Sequence, residues 1–201
     1  MKNWLLMLGL LATGAAQADE LIDPIQNQWA VCQYQSKTKE SCLQKLSGEA
    51  DQASAANPGR TDLLIWAAIV KSSWAGAKGG LGALSLVKTA KRQLEQAIRQ
   101  NPSALDGSAY TSLGSLYYQV PGWPVGFGDK AKAEQLLKQA LAINPNGIDP
   151  NFFYGDYLLE QGCKSEARQM LDKALAAPLR PGRELADQGR RKEIEERLAK
   201  L

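Results

Sequence analysis

From Tyr110 to Pro145, apolar and small residues recur at helical spacing in two successive sets. Tyr110, Leu113, Gly114 and Tyr117 form the first, and Ala133, Leu137, Ala140 and Pro145 the second. Steps of three and four put such positions on one stripe of a helix, so the pattern predicts two helices folded as a hairpin. Gly114 and Ala133 are small enough to let two backbones approach closely, with Leu137 and Tyr117 filling the space beside them. Pro145 ends the second helix because it has no amide proton to donate.

The hairpin recurs. Tyr154, Gly155, Leu158, Gly162, Ala167, Leu171 and Ala174 repeat the order downstream, with helices expected over about 150–161 and 165–176. Twelve positions separate Gly155 from Ala167, against nineteen from Gly114 to Ala133. The seven extra residues fall in Gln119 to Gly128, QVPGWPVGFG, whose prolines and glycines predict a loop at the hairpin tip. Upstream, Ala90, Leu94, Ala97 and Pro102 precede their counterparts by 43 residues. Before them stands a helix carrying Leu64, Ile65, Ala67, Ala68 and Ile69, with Thr61 as its expected cap. The segment AGAKGGLG, residues 75–82, is the expected loop of that copy.

An opening hairpin is expected over 21–34 and about 38–56, ended by Asn57-Pro58-Gly59. A last helix over about 184–200 carries Leu185, Ile194 and Leu198 among many charges, which suits a polar cap with a solvated charged face. No segment shows the alternation of a strand, and the fold class is all-α.

Lys2, the apolar run from Trp4 to Leu11 and Ala16-Gln17-Ala18 have the form of a secretory signal, so residues 1–18 are read as a signal peptide and 19–201 as a single domain. The run is shorter than the roughly 20 residues a membrane span needs, so no stable membrane insertion is expected. The expected location is the periplasm. There Cys32 and Cys42 are candidates for a disulfide across the first hairpin, the other reading being two reduced, partly buried thiols; Cys163 is left over.

A net charge of +3, without clustered basic and aromatic residues, does not favour nucleic acid. With no histidine, neither a Ser-His-Asp site nor an imidazole metal site can form. Lys71 beside Ser72 and Ser73 leaves a Ser/Lys hydrolase as the rival of another class, disfavoured because neighbours on a helix point in different directions. The AKGGLG segment lacks the Lys-Ser/Thr pair and preceding strand of a phosphate loop. No cofactor, metal or catalytic residue is assigned.

Binding is the better reading. Stacked hairpins leave one stripe of each first helix on a concave wall. That stripe supplies Ile69 and Ser72 in the third helix, Thr111, Ser115 and Tyr118 in the fifth, and Phe152 and Asp156 in the seventh. Trp74 stands near one expected loop, and Trp123 and Phe127 lie in the other, which is expected to fold over the wall's mouth. This mixture suits a ligand with an apolar body and polar handles.

The order from Tyr110 through Leu113-Gly114 and Tyr117 to Ala133, Leu137 and Pro145 matches the tetratricopeptide (TPR) pattern, with Tyr110 in the tryptophan place. Together with the inserted loops, the leader and the run SLGSLYYQVPGWPVGFGDKAKAEQLLKQALAINPNGIDPNFFYGDYLL, the chain resembles periplasmic tetratricopeptide proteins related to the T component of TRAP transporters. The resemblance covers residues 110–175 best and 61–102 less well, and the chain lacks the lipid-anchor cysteine of some relatives. It implies a helical subunit with a hydrophobic channel or cleft, working with a periplasmic solute-binding protein. The expectation is therefore a TPR-like helical-hairpin solenoid with long inserted loops and a C-terminal capping helix, acting as a non-enzymatic scaffold. Its partner would be a protein or a small amphipathic ligand in the cell envelope, with a TRAP-type accessory subunit as the alternative and a homo-oligomer compatible with either.

Overall fold

A computed structural model describes residues 14–201, with side chains from residue 20 onward. Most of the segment read as a signal peptide, residues 1–13, lies outside the described residues. The described chain is helical throughout: α1 (Gly14–Tyr34), α2 (Lys39–Ala56), α3 (Thr61–Lys78), α4 (Gly80–Gln100), α5 (Ser108–Gln119), α6 (Lys130–Ile143), α7 (Ile148–Glu160), α8 (Lys164–Leu175) and α9 (Glu184–Leu198). A short 3-10 turn, Ala104–Gly107, joins α4 to α5. Among the described residues there is no strand, and no helix is long and apolar enough to cross a membrane.

The first eight helices pair as four antiparallel hairpins stacked side by side. Small residues set the spacing in both of the best repeats: a Cβ on Gly114 would sit 2.8 Å from Leu137 Cγ, and one on Gly155 would sit 2.9 Å from Leu171 Cγ. Ala90, Ala97, Ala133, Ala140, Ala167 and Ala174 are fully buried on the facing helices. Truncating Leu137 or Leu171, both wholly enclosed, would cost about 2–5 kcal/mol.

The two segments expected as inserted loops take different forms. Pro121 and Pro124 keep residues 120–129 out of helix, and Asp129 then caps α6 by accepting from the Lys132 amide at 3.0 Å. AGAKGGLG is not the expected loop. It has no proline, so α3 runs on to Lys78 and α4 starts at Gly80, with Gly79 and Gly80 making the turn at φ 65° and 60°. Thr61 does not cap α3, which starts after Arg60; its hydroxyl lies 3.2 Å from Gln100 Oε1.

The last helix also departs from expectation. α9 packs against α7 and α8 of the last hairpin, as the expected cap does, and in addition against α1 at the other end, so it also crosses the inner face. Ile194 is enclosed as expected, but so are Asp187 and Arg190 from the stretch read as a solvated face.

Candidate binding cleft

The inner stripes of α3, α5 and α7 form one wall of a cleft of about 670 Å³, and α1 and α9 form the other. Ile69, Ser72, Thr111, Ser115, Phe152 and Asp156 all line it, so helical periodicity brings six of the ten candidate residues together. The other four lie elsewhere. Trp74 packs into the core beneath the first hairpin. Tyr118 is enclosed between α5 and α7, its hydroxyl donating to Asp156 Oδ2 at 2.9 Å. Phe127 folds back edge-on against Tyr117, their ring centroids 5.4 Å apart.

Trp123 does not close over the wall. It stands 91% exposed at the loop tip, outside the cleft. The loop is held to its own hairpin by Asp129 N donating to Tyr117 O at 2.8 Å and Gly128 N to Pro121 O at 3.0 Å.

Aromatic and charged groups from both walls meet in the cleft. Trp29 of α1 and Trp66 of α3 are edge-to-face at 5.7 Å, and Trp29 Nε1 donates to Ser73 Oγ at 2.8 Å. Ser72 Oγ donates to the Ala68 carbonyl at 2.7 Å. Lys71 turns the other way, its ammonium paired with Asp51 and 3.2 Å from Ser47 Oγ. The three residues considered for Ser/Lys chemistry are therefore engaged separately.

Asp149 of α7 is the junction of an ionic network. Its Oδ2 accepts from Arg180 Nη1 at 2.6 Å and its Oδ1 from Arg190 Nε at 2.9 Å. Arg180 is also paired with Asp187 at 2.5 Å, and Arg197 with Asp156 at 2.5 Å. Burial alone would raise the Asp149 pKa, but the guanidinium groups of Arg190 and Arg180 outweigh it and hold the carboxyl at about 2. The same contacts, led by Asp149, hold the Arg190 pKa above its ordinary value against burial. Arg190 also lies over Phe152 and Phe153, 4.4 and 4.7 Å from their ring centroids. Burial, and after it the Asp156 charge, pushes the Tyr118 hydroxyl well above its usual value, so it stays a proton donor to that carboxylate.

At the junction of α4 and α5, Leu105 and Asp106 adopt left-handed backbone at φ 48° and 53°, and both line the cleft. Such backbone costs about 1–2 kcal/mol per non-glycine residue. Gly107 completes the turn at φ 76°, and Ile143 packs 3.0 Å from where its Cβ would be.

Sequence reasoning missed Trp29, Asp149 and the arginines of the opposite wall. One signal was available: Arg183, Arg190 and Arg197 recur at intervals of seven, which puts them on one helical stripe. The cleft is also not the hydrophobic channel that the transporter resemblance implies, for five basic and five acidic side chains line it.

Residues 125–179 match the tetratricopeptide repeat family. Among solved structures, the chain is similar to TTC0263, a thermophilic TPR protein of Thermus thermophilus. The two are 21% identical over 91% of this chain and 89% of that one, with a TM-score of 0.60. MamA is 18% identical over 84% of this chain and 99% of its own, with a TM-score of 0.36, too low to define a common arrangement. No curated protein matches the chain significantly. The fold is a TPR-like helical-hairpin solenoid, an architecture suited to holding a protein partner.

Proposed function

We propose that this protein is a non-enzymatic scaffold of the cell envelope that holds a segment of a protein partner in the cleft between α3, α5 and α7 on one side and α1 and α9 on the other. The observation that carries this reading is the cleft itself. It joins apolar surface from Ile69, Trp66 and Phe152 to hydrogen-bonding groups at Ser108, Ser112 and Gln119 on a rigid frame. The envelope location is supported by the charged and apolar pattern of residues 2–18 and by the bond between Cys32 and Cys42. A small amphipathic ligand is the second reading, favoured by a volume within the range of about 300–1,000 Å³ usual for such sites.

Mass spectrometry of material co-purified from the envelope separates the two. A stoichiometric protein supports the scaffold, and lipid-like molecules support the small-ligand reading. A solute-binding protein among the partners would favour the TRAP-type accessory role. Ser112→Trp, which fills the cleft, is expected to abolish recovery, whereas Gln139→Trp on exposed α6 surface leaves it intact. Equal recovery with both variants would overturn the proposal.

A further inference from the structure

Four arginines face the cleft, and three are matched by carboxylates: Arg180 by Asp149 and Asp187, Arg190 by Asp149 and Glu193, Arg197 by Asp156. Arg183 differs. Among the described residues it forms no ion pair; its Nη1 donates to the neutral Gln26 Oε1 at 2.9 Å, and its Nε is buried without an acceptor. Its guanidinium carbon stacks 4.9 Å from the Trp66 ring centroid. A guanidinium lying on a ring keeps its donors in its own plane, where a carboxylate accepts two at once.

Burial, and then the charge of Arg180, lowers the Arg183 pKa, and Asp149 and Asp187 offset this only in part. Since a guanidinium does not discharge near neutral pH, the cleft retains a positive charge that its own residues compensate incompletely. Ile69 and Leu105 pack in the same cluster as Trp66 and also line the cleft, which places an apolar seat beside the cation. A polyanion would meet Asp106, Asp149, Asp156, Glu193 and Glu196 on the same walls, so the complementary group carries one negative charge.

Resting on the scaffold reading, we infer that Arg183 anchors a single carboxylate of the bound segment, an acidic side chain or a free C-terminus, while a neighbouring apolar side chain of that segment sits against Ile69 and Leu105. The partner class is an amphipathic acidic peptide. Arg183 then determines specificity, and the aromatic wall supplies sequence-tolerant contact.

Selection from a random peptide library on the full protein tests this and does not require the partner to be identified first. Wild-type protein is expected to enrich peptides with one fixed carboxylate next to an apolar residue. Changing that Glu or Asp to its amide in a selected peptide should weaken binding about tenfold or more, the usual range for a charge-assisted hydrogen bond. Arg183→Gln should weaken the acidic peptide by the same factor and the amide peptide not at all, with Arg183→Lys intermediate. The peptide-side change needs no alteration of the protein, so a folding defect in the variant cannot mimic the result. Selected peptides with apolar positions but no fixed carboxylate, or full acid preference in Arg183→Gln, would overturn the inference and leave the scaffold reading standing. Failure to enrich any peptide would overturn both.

Discussion

Gly189 of α9 lies flat against the ring of Tyr34 in α1: a Cβ at that position would sit 2.5 Å from three ring atoms. The last helix is thereby seated on the first, and Arg183 donating to Gln26 makes a second link between the same elements. A solenoid whose ends are joined in this way presents a two-walled cleft in place of a one-walled groove.

Gly189→Ala gains up to about 1 kcal/mol of helix propensity but forces an overpacked contact costing about 1–3 kcal/mol. A net loss in urea or thermal unfolding is expected. Gly48, in the middle of α2 with nothing within 4 Å of where a Cβ would stand, gives the opposite sign: Gly48→Ala should stabilise by about 0.5–1 kcal/mol.

Acid should loosen the α7–α9 junction. The Asp149 pKa is held at about 2 in the folded chain, below the unfolded value near 4, so its contribution is fully present above pH 4 and is lost as pH falls through 2. That contribution is on the order of 2 kcal/mol. The difference in unfolding free energy between wild type and Asp149→Asn should shrink by about this amount from pH 5 to pH 2; a constant difference would exclude the pairing.

The bond between Cys32 and Cys42 closes a short loop between α1 and α2. Thiol titration of the unreduced, unfolded protein should find only Cys163 reactive, and reduction should release the other two cysteines. By loop entropy, the Cys32→Ala, Cys42→Ala double variant loses about 3 kcal/mol.

Trp123→Ala should change stability by no more than about 0.5 kcal/mol and remove the most red-shifted tryptophan emission, as its exposure requires. Trp66→Ala, at a buried ring, should cost about 3–5 kcal/mol. A Cβ on Gly128 would run into the Val120 carbonyl oxygen, so Gly128→Ala should disrupt the loop and leave the cleft intact.

Much of this was legible in the chain because local spacing encodes it. Gly114 with Leu137, and Gly155 with Leu171, announce the same helix contact twice, and the stripe through Ile69, Thr111, Phe152 and Asp156 follows from three- and four-residue steps. What was not legible depends on contacts distant in sequence. α9 reads as solvated because Arg190 and Arg197 meet Asp149 and Asp156 of α7 only when the two helices are brought together across the cleft. Gly76, Gly79 and Gly80 looked like a loop, yet the break is confined to the Gly79-Gly80 turn, since without proline the flanking Ala, Lys and Leu continue the helices. The direction of the Trp123 loop was equally hidden, being fixed by backbone bonds within its own hairpin.

The central claim is that partners enter the cleft, and photo-crosslinking tests it most directly. A photoreactive amino acid is placed at Ser112 on the α5 wall in one sample and at Gln139 on exposed α6 in another. The Ser112 probe should form an adduct that maps to one short segment of one partner protein, and the Gln139 probe should form none with that segment. Adducts from Gln139, with none from Ser112, would contradict the account.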